Sequence, residues 1–155
     1  MIVLIVATVI IVVVVSKGKE KERERERTAQ LLAYKADDVT SAGTVATSVN
    51  MAMANEAAYD DLMMNNLLDN PSEIVAVALS GEPFKAYGGH SLDNFIKELN
   101  REGTSPVLKY TESVNGWTPA GWAISINKDR PVVYITDGTT AHMIEVYPTV
   151  SMEYQ

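Results

Sequence analysis

Two histidines, His90 and His142, are the side chains best suited to move a proton or hold a metal near neutral pH. They lie far apart in the chain and in different local patterns, so no histidine-based metal centre or catalytic base is expected. Ser91 directly precedes a helical apolar pattern, Leu92, Phe95, Ile96 and Leu99. That is the place of a helix cap rather than of a nucleophile. Gly88-Gly89 stands alone and reads as a turn, not as a phosphate-binding loop. Asp37-Asp38 and Asp60-Asp61 are acidic pairs in helical sequence. Adjacent helical residues point about 100° apart, so neither pair chelates a calcium ion readily, and both read as solvated faces. Trp117 and Trp122 flank Pro119 and Gly121, which suits packing at a sheet edge; a sugar- or surface-binding platform is the sharper alternative. The absence of cysteine excludes disulfides, thiolate metal sites and cysteine nucleophiles. These residues make no catalytic constellation, and the expectation is a chain that is not an enzyme, with no cofactor, no metal and no identified small-molecule substrate.

The elements that must position these residues begin with a sharp contrast. Residues 1–15 (MIVLIVATVIIVVVV) carry no charge, whereas 16–27 (SKGKEKERERER) are almost all charge. Fifteen helical residues span about 22 Å, against about 30 Å of bilayer hydrocarbon. A lone strand in lipid would leave its amides unpaired, so the apolar run is expected to be helical. No basic residue precedes it and no small-x-small site follows it, which argues against a cleaved signal peptide. Ile2, Val3, Leu4, Ile5, Val6, Val9, Ile10, Val12 and Val13 are the residues expected to lie in a membrane or a filament core. In the charged run, residues three apart carry opposite signs, as in Glu20/Arg23 and Glu24/Arg27. Such pairs support a solvated helix by about 0.2–0.5 kcal/mol each, and like charges four apart oppose them. Glu20, Arg23, Glu24 and Arg27 also form a candidate stripe for ion pairs between subunits.

The remainder, residues 28–155, is expected to be one head. Its net charge contributes to a total of −7, which makes nucleic acid an unfavourable partner. From 28 to 68 the apolar positions Leu32, Val39, Ala42, Val45, Ala46, Val49, Ala52 and Met53 recur at helical steps. Asp69-Asn70-Pro71 stops the run. Residues 74–79 (IVAVAL) form a short strand or buried turn. A short helix is expected over 91–101, capped by Ser91 and ended by Gly103. Four strands are expected within 107–112, 122–126, 132–136 and 142–147. Asn115-Gly116, Asn127-Lys128-Asp129 and Asp137-Gly138 supply hairpin chemistry between them. The fold class is therefore α+β: a long N-terminal helix with a projecting apolar end, packed on a C-terminal antiparallel meander.

At this point the residues resemble those of type IV pilins and type II secretion pseudopilins. Met1-Ile2-Val3-Leu4 looks like the last four of that family's opening Phe-Thr-Leu-Ile-Glu-Leu-Met-Ile-Val-Leu. The small-residue helix face between Ala29 and Tyr59 is similar to the family's middle helix. Gly121-Trp122-Ala123-Ile124-Ser125-Ile126 and Val132-Val133-Tyr134-Ile135-Thr136-Asp137-Gly138 look like its C-terminal sheet. The resemblance implies a membrane-inserted subunit that polymerises with copies of itself into a cell-surface filament. The family's early glutamate has no counterpart, since no acid precedes Glu20. A start upstream of Met1, carrying that glutamate and a basic leader, would restore both the motif and the orientation. Otherwise six Lys or Arg after the apolar run and none before it keep the charged side cytoplasmic. That charge pattern favours the alternative, a single-pass membrane-anchored adaptor or sensor that does not polymerise.

Overall fold

The computed structural model describes the backbone of residues 2–155 and the side chains from Lys17 onward. The chain divides into two compact units, residues 1–34 and 35–155. Helix α1, Ile2–Met53, contributes to both. In the first unit, every side chain from Lys17 to Gln30 is exposed. Glu, Lys and Arg favour helix without needing a buried face. Two local bonds add to it: the Thr28 hydroxyl donates to the Glu24 carbonyl at 2.8 Å, and the Gln30 amide donates to the Tyr34 hydroxyl at 2.7 Å.

In the second unit α1 buries Asp38, Ala42, Val45, Ala46, Val49 and Ala52, spaced three and four apart on one stripe. Thr40, Thr47 and Ser48, off that stripe, donate their hydroxyls back to carbonyls one turn earlier. The helix does not run to residue 68 as its periodicity suggests. It ends at Met53, and a second helix, α2, spans Glu56–Met64. Between them Asn55 takes an extended conformation, and its side chain accepts from the Ala58 amide at 3.2 Å. An asparagine followed by Glu56 is a strong helix start, and here it outweighs the uninterrupted apolar spacing. Asn66, at φ 54°, closes α2: the Leu67 amide reaches the Leu62 carbonyl and the Asn66 amide reaches that of Met63.

The sheet has five strands rather than four, all antiparallel, in the order β2-β1-β3-β4-β5. These are β1 Ala76–Leu79, β2 Lys85–Ala86, β3 Gly121–Asn127, β4 Arg130–Thr136 and β5 Met143–Tyr147. The register pairs Ala78 with Trp122, Trp122 with Ile135 and Ile135 with Ile144, so these side chains share one face, and all are buried. Trp122 therefore lies in the middle of the core, not at a sheet edge. Gly121 faces Leu79 so closely that a Cβ there would stand 2.2 Å from the Ala78 carbonyl oxygen. β3 and β4 join through Lys128 and Asp129, both at positive φ (51° and 57°), the geometry of a two-residue hairpin loop.

The expected strand at 107–112 does not form. Its amides bind side chains instead: Leu108 N–H goes to Ser80 Oγ at 2.9 Å, and Lys109 and Tyr110 N–H go to Asp38 at 2.7 and 3.0 Å. Helix α3 spans Asp93–Leu99, shorter than 91–101, and ends at Asn100 rather than at Gly103. Ser91 does not cap it. The residue at the cap position is Leu92, which has no side chain able to do so.

Candidate functional site

The acidic pairs are the first place where chemistry and position part from expectation. In each pair the first acid stays at or near the surface and the second is buried: Asp38 is 0% exposed and Asp61 7%. Neither is a solvated face. Asp61, on α2, accepts from the Asn94 and Phe95 amides at 2.7 and 3.0 Å and from the Asn94 side chain at 3.2 Å. It thereby caps α3 from another helix, the task the sequence gives to Ser91. Asp38, on α1, takes the Lys109 and Tyr110 amides and also the Tyr154 hydroxyl, at 2.7 Å. A buried carboxylate is tolerable only when its oxygens are satisfied, and each of these receives three donors.

Around Asp38 the C-terminal 3-10 turn, Met152–Tyr154, is tied to α1. Tyr154 meets Tyr110 edge to face, with centroids 5.7 Å apart. The Lys35 ammonium sits 5.1 Å from the Tyr110 ring and 5.4 Å from the Tyr154 ring, and donates to the Glu153 carbonyl at 2.9 Å. Burial, then the hydrogen bond to Asp38 and that group's charge, push the Tyr154 hydroxyl well above the ordinary tyrosine range. The hydroxyl is a permanent donor here, not an acid. This arrangement fastens residues 152–154 to α1, with Asp38 and Tyr154 both buried.

A second cluster lies at the surface. Asn115 and Gly116, both at positive φ, make a tight turn closed by paired backbone bonds between Val114 and Trp117. The turn presents the half-buried Trp117, whose ring stacks on that of His142 at a centroid distance of 5.8 Å and an interplanar angle of 12°. His142 Nδ1 lies 2.6 Å from Asp137 Oδ2. Asp137 Oδ1 accepts from the Thr139 amide and hydroxyl. Those hydrogen bonds, the Thr139 hydroxyl first and His142 next, hold the Asp137 carboxyl down at about 2. His90 makes a separate pair with Glu73, at 2.9 Å. The two histidines are thus not brought together, and among the described residues no group of acids and histidines is placed to hold a metal ion.

Glu20, Arg23 and Glu24 are exposed along the first unit, and Arg27 lies on the same exposed run. The apolar positions Ile2, Val3, Leu4, Ile5, Val6, Val9, Ile10, Val12 and Val13 lie outside the residues whose side chains are described. Among the described residues no helix is long and apolar enough to cross a membrane. Comparison with known proteins yields no matching family model, no matching curated protein and no matching solved structure.

Sequence reading missed the buried role of Asp38 and Asp61 and the stacking of Trp117 on His142. A doubled Asp on an apolar helical stripe was the available signal for the first. Nothing local marks the second, because its partners come from separate turns.

Proposed function

We propose that this chain is a pilin-like structural subunit that polymerises through its N-terminal helix into a cell-surface filament. One observation carries the reading: a single 52-residue helix, Ile2–Met53, passes in sequence from an uncharged stretch through a charged one into the stripe of an α+β unit. The early apolar residues would rest in the membrane before assembly. They would then move into a bundle of identical helices, where each Val or Ile stays out of water. Full burial of such a side chain is worth about 1.5–3 kcal/mol against water. Exchange of lipid for helix contacts returns only part of that, so the assembly draws on many such residues together. The α+β unit would coat the outside, and the stripe of Glu20, Arg23, Glu24 and Arg27 would form ion pairs between copies.

The second reading is a single-pass membrane-anchored adaptor or sensor, favoured by the six Lys and Arg that follow the apolar run. Substituting Ile5→Asp or Val9→Asp in the full chain separates the two. The filament reading predicts loss of sedimentable polymer in both variants while Trp122 keeps its buried near-UV signature. Polymer at the wild-type level in either variant overturns it.

A further inference from the structure

We propose that Trp117, His142 and Asp137 form a binding site for a neutral saccharide. The inference is independent of whether the chain polymerises. The two tryptophans have opposite environments. Trp122 is wholly buried and its indole N–H donates to the Pro106 carbonyl at 2.8 Å. Trp117 sits at the end of a tight turn, partly exposed, and its indole N–H has no partner among the described residues. A large aromatic ring with an unspent donor, placed on a rigid turn and backed by the His142 imidazole, offers apolar ring surface beside a directed hydrogen bond.

What surrounds it is polar and already aligned. The imidazole of His142 lies parallel to the indole, its side chain 51% exposed, with Nδ1 held by Asp137 and Nε2 without a partner among the described residues. Asp137 is itself fixed by Thr139, and its Oδ2 has a lone pair beyond the one that meets His142. On the same loop Thr140 bonds the hydroxyl of Tyr87, a second half-exposed aromatic, at 3.1 Å. Two separate chain segments thus converge on one six-residue loop, and an aromatic ring from each flanks it. Loops held by a rigid scaffold are where binding groups concentrate.

The ligand class follows from the mixture of groups. The indole offers only a donor, the carboxylate only acceptors, and Nε2 of the neutral imidazole an acceptor, because Nδ1 donates to the ionised Asp137. Hydroxyl groups donate and accept, and a sugar ring adds a face of C–H bonds for the indole. A primary ammonium only donates and a quaternary one neither donates nor accepts, so either would leave the indole N–H unmatched. An anionic sugar or phosphate would meet the Asp137 carboxylate in a chain of net charge −7.

The test is binding of the full chain, in a detergent without sugar headgroups, to immobilised neutral oligosaccharides, sialylated oligosaccharides and a choline-bearing surface. The proposal expects retention on neutral oligosaccharides. Trp117→Ala should weaken it at least tenfold, and His142→Ala and Asp137→Asn should each weaken it several-fold. Met64→Ala, exposed at the end of α2, should not. Near-UV circular dichroism of Trp122 checks folding; if Trp117→Ala fails that check, the His142 and Asp137 variants decide. Binding to no neutral oligosaccharide, binding confined to the sialylated or choline surface, or neutral binding unchanged in the folded variants overturns the proposal.

Discussion

At the scale of single residues, the two acidic pairs make a controlled comparison that the chain itself supplies. Removing Asp61 leaves two helix-start amides in the interior without an acceptor, and each such orphan costs about 1–3 kcal/mol. Asp61→Ala and Asp38→Ala should therefore each lower stability by about 3 kcal/mol. Asp60→Ala and Asp37→Ala should stay within about 0.5 kcal/mol of wild type. Chemical denaturation of the four variants checks this; equal losses within a pair would contradict the assignment. Tyr154 adds a pH dependence of definite sign. Its folded-state pKa is raised above the ordinary value of 10, so the stability it contributes is present below pH 10 and is lost as pH rises beyond it. Tyr154→Phe should be less stable at pH 7, through loss of the bond to Asp38, yet should lose less further stability than wild type between pH 9 and 11. Asp137 acts in the other direction. With its carboxyl held down at about 2, its contribution is present above the ordinary value of 3.8 and fades as pH falls toward 2.

At the scale of elements, helix and strand starts depend on a few turn residues. Asn55 caps α2 with its side chain, so Asn55→Ala should cost about 1 kcal/mol in thermal or chemical unfolding. Lys128 holds a positive φ that favours glycine, so Lys128→Gly should stabilise by up to about 1 kcal/mol. Gly121→Ala should be strongly destabilising, because its methyl would enter the space of the Ala78 carbonyl; a neutral result would show that β1 and β3 can move apart. These elements also show what the sequence could tell. β3, β4 and β5 were readable from apolar runs bounded by Asn, Asp and Gly, because their partners are neighbours in the chain. Strand β2 is only Lys85-Ala86, both exposed, and carries no pattern to read. Residues 107–112 have strand-like composition, yet their amides are claimed by Asp38, 71 and 72 residues away. No local rule predicts that. The break at Asn55 was marked by a good cap residue, but helical periodicity on both sides concealed it.

At the scale of the whole molecule, the α+β architecture stands as sequence patterning implies, with β1 and β2 in the sheet in place of the strand expected at 107–112 and one long helix divided in two. The site was harder to read than the fold. A carboxylate's burial and a ring's stacking partner depend on residues distant in sequence, whereas apolar spacing is local. The filament reading rests on the opposite kind of signal, a composition so uneven that residues 1–27 alone pose the question of what surrounds them. If the charged stripe pairs between copies, reversing Glu20 and Glu24 to Lys should weaken assembly, and the wild-type polymer should lose stability as salt rises. The most direct measurement is electron microscopy of the full wild-type chain released from membranes without prior dissociation. The account predicts thin fibres of uniform diameter with a regular axial repeat; a population consisting only of detergent-bound monomers would contradict it.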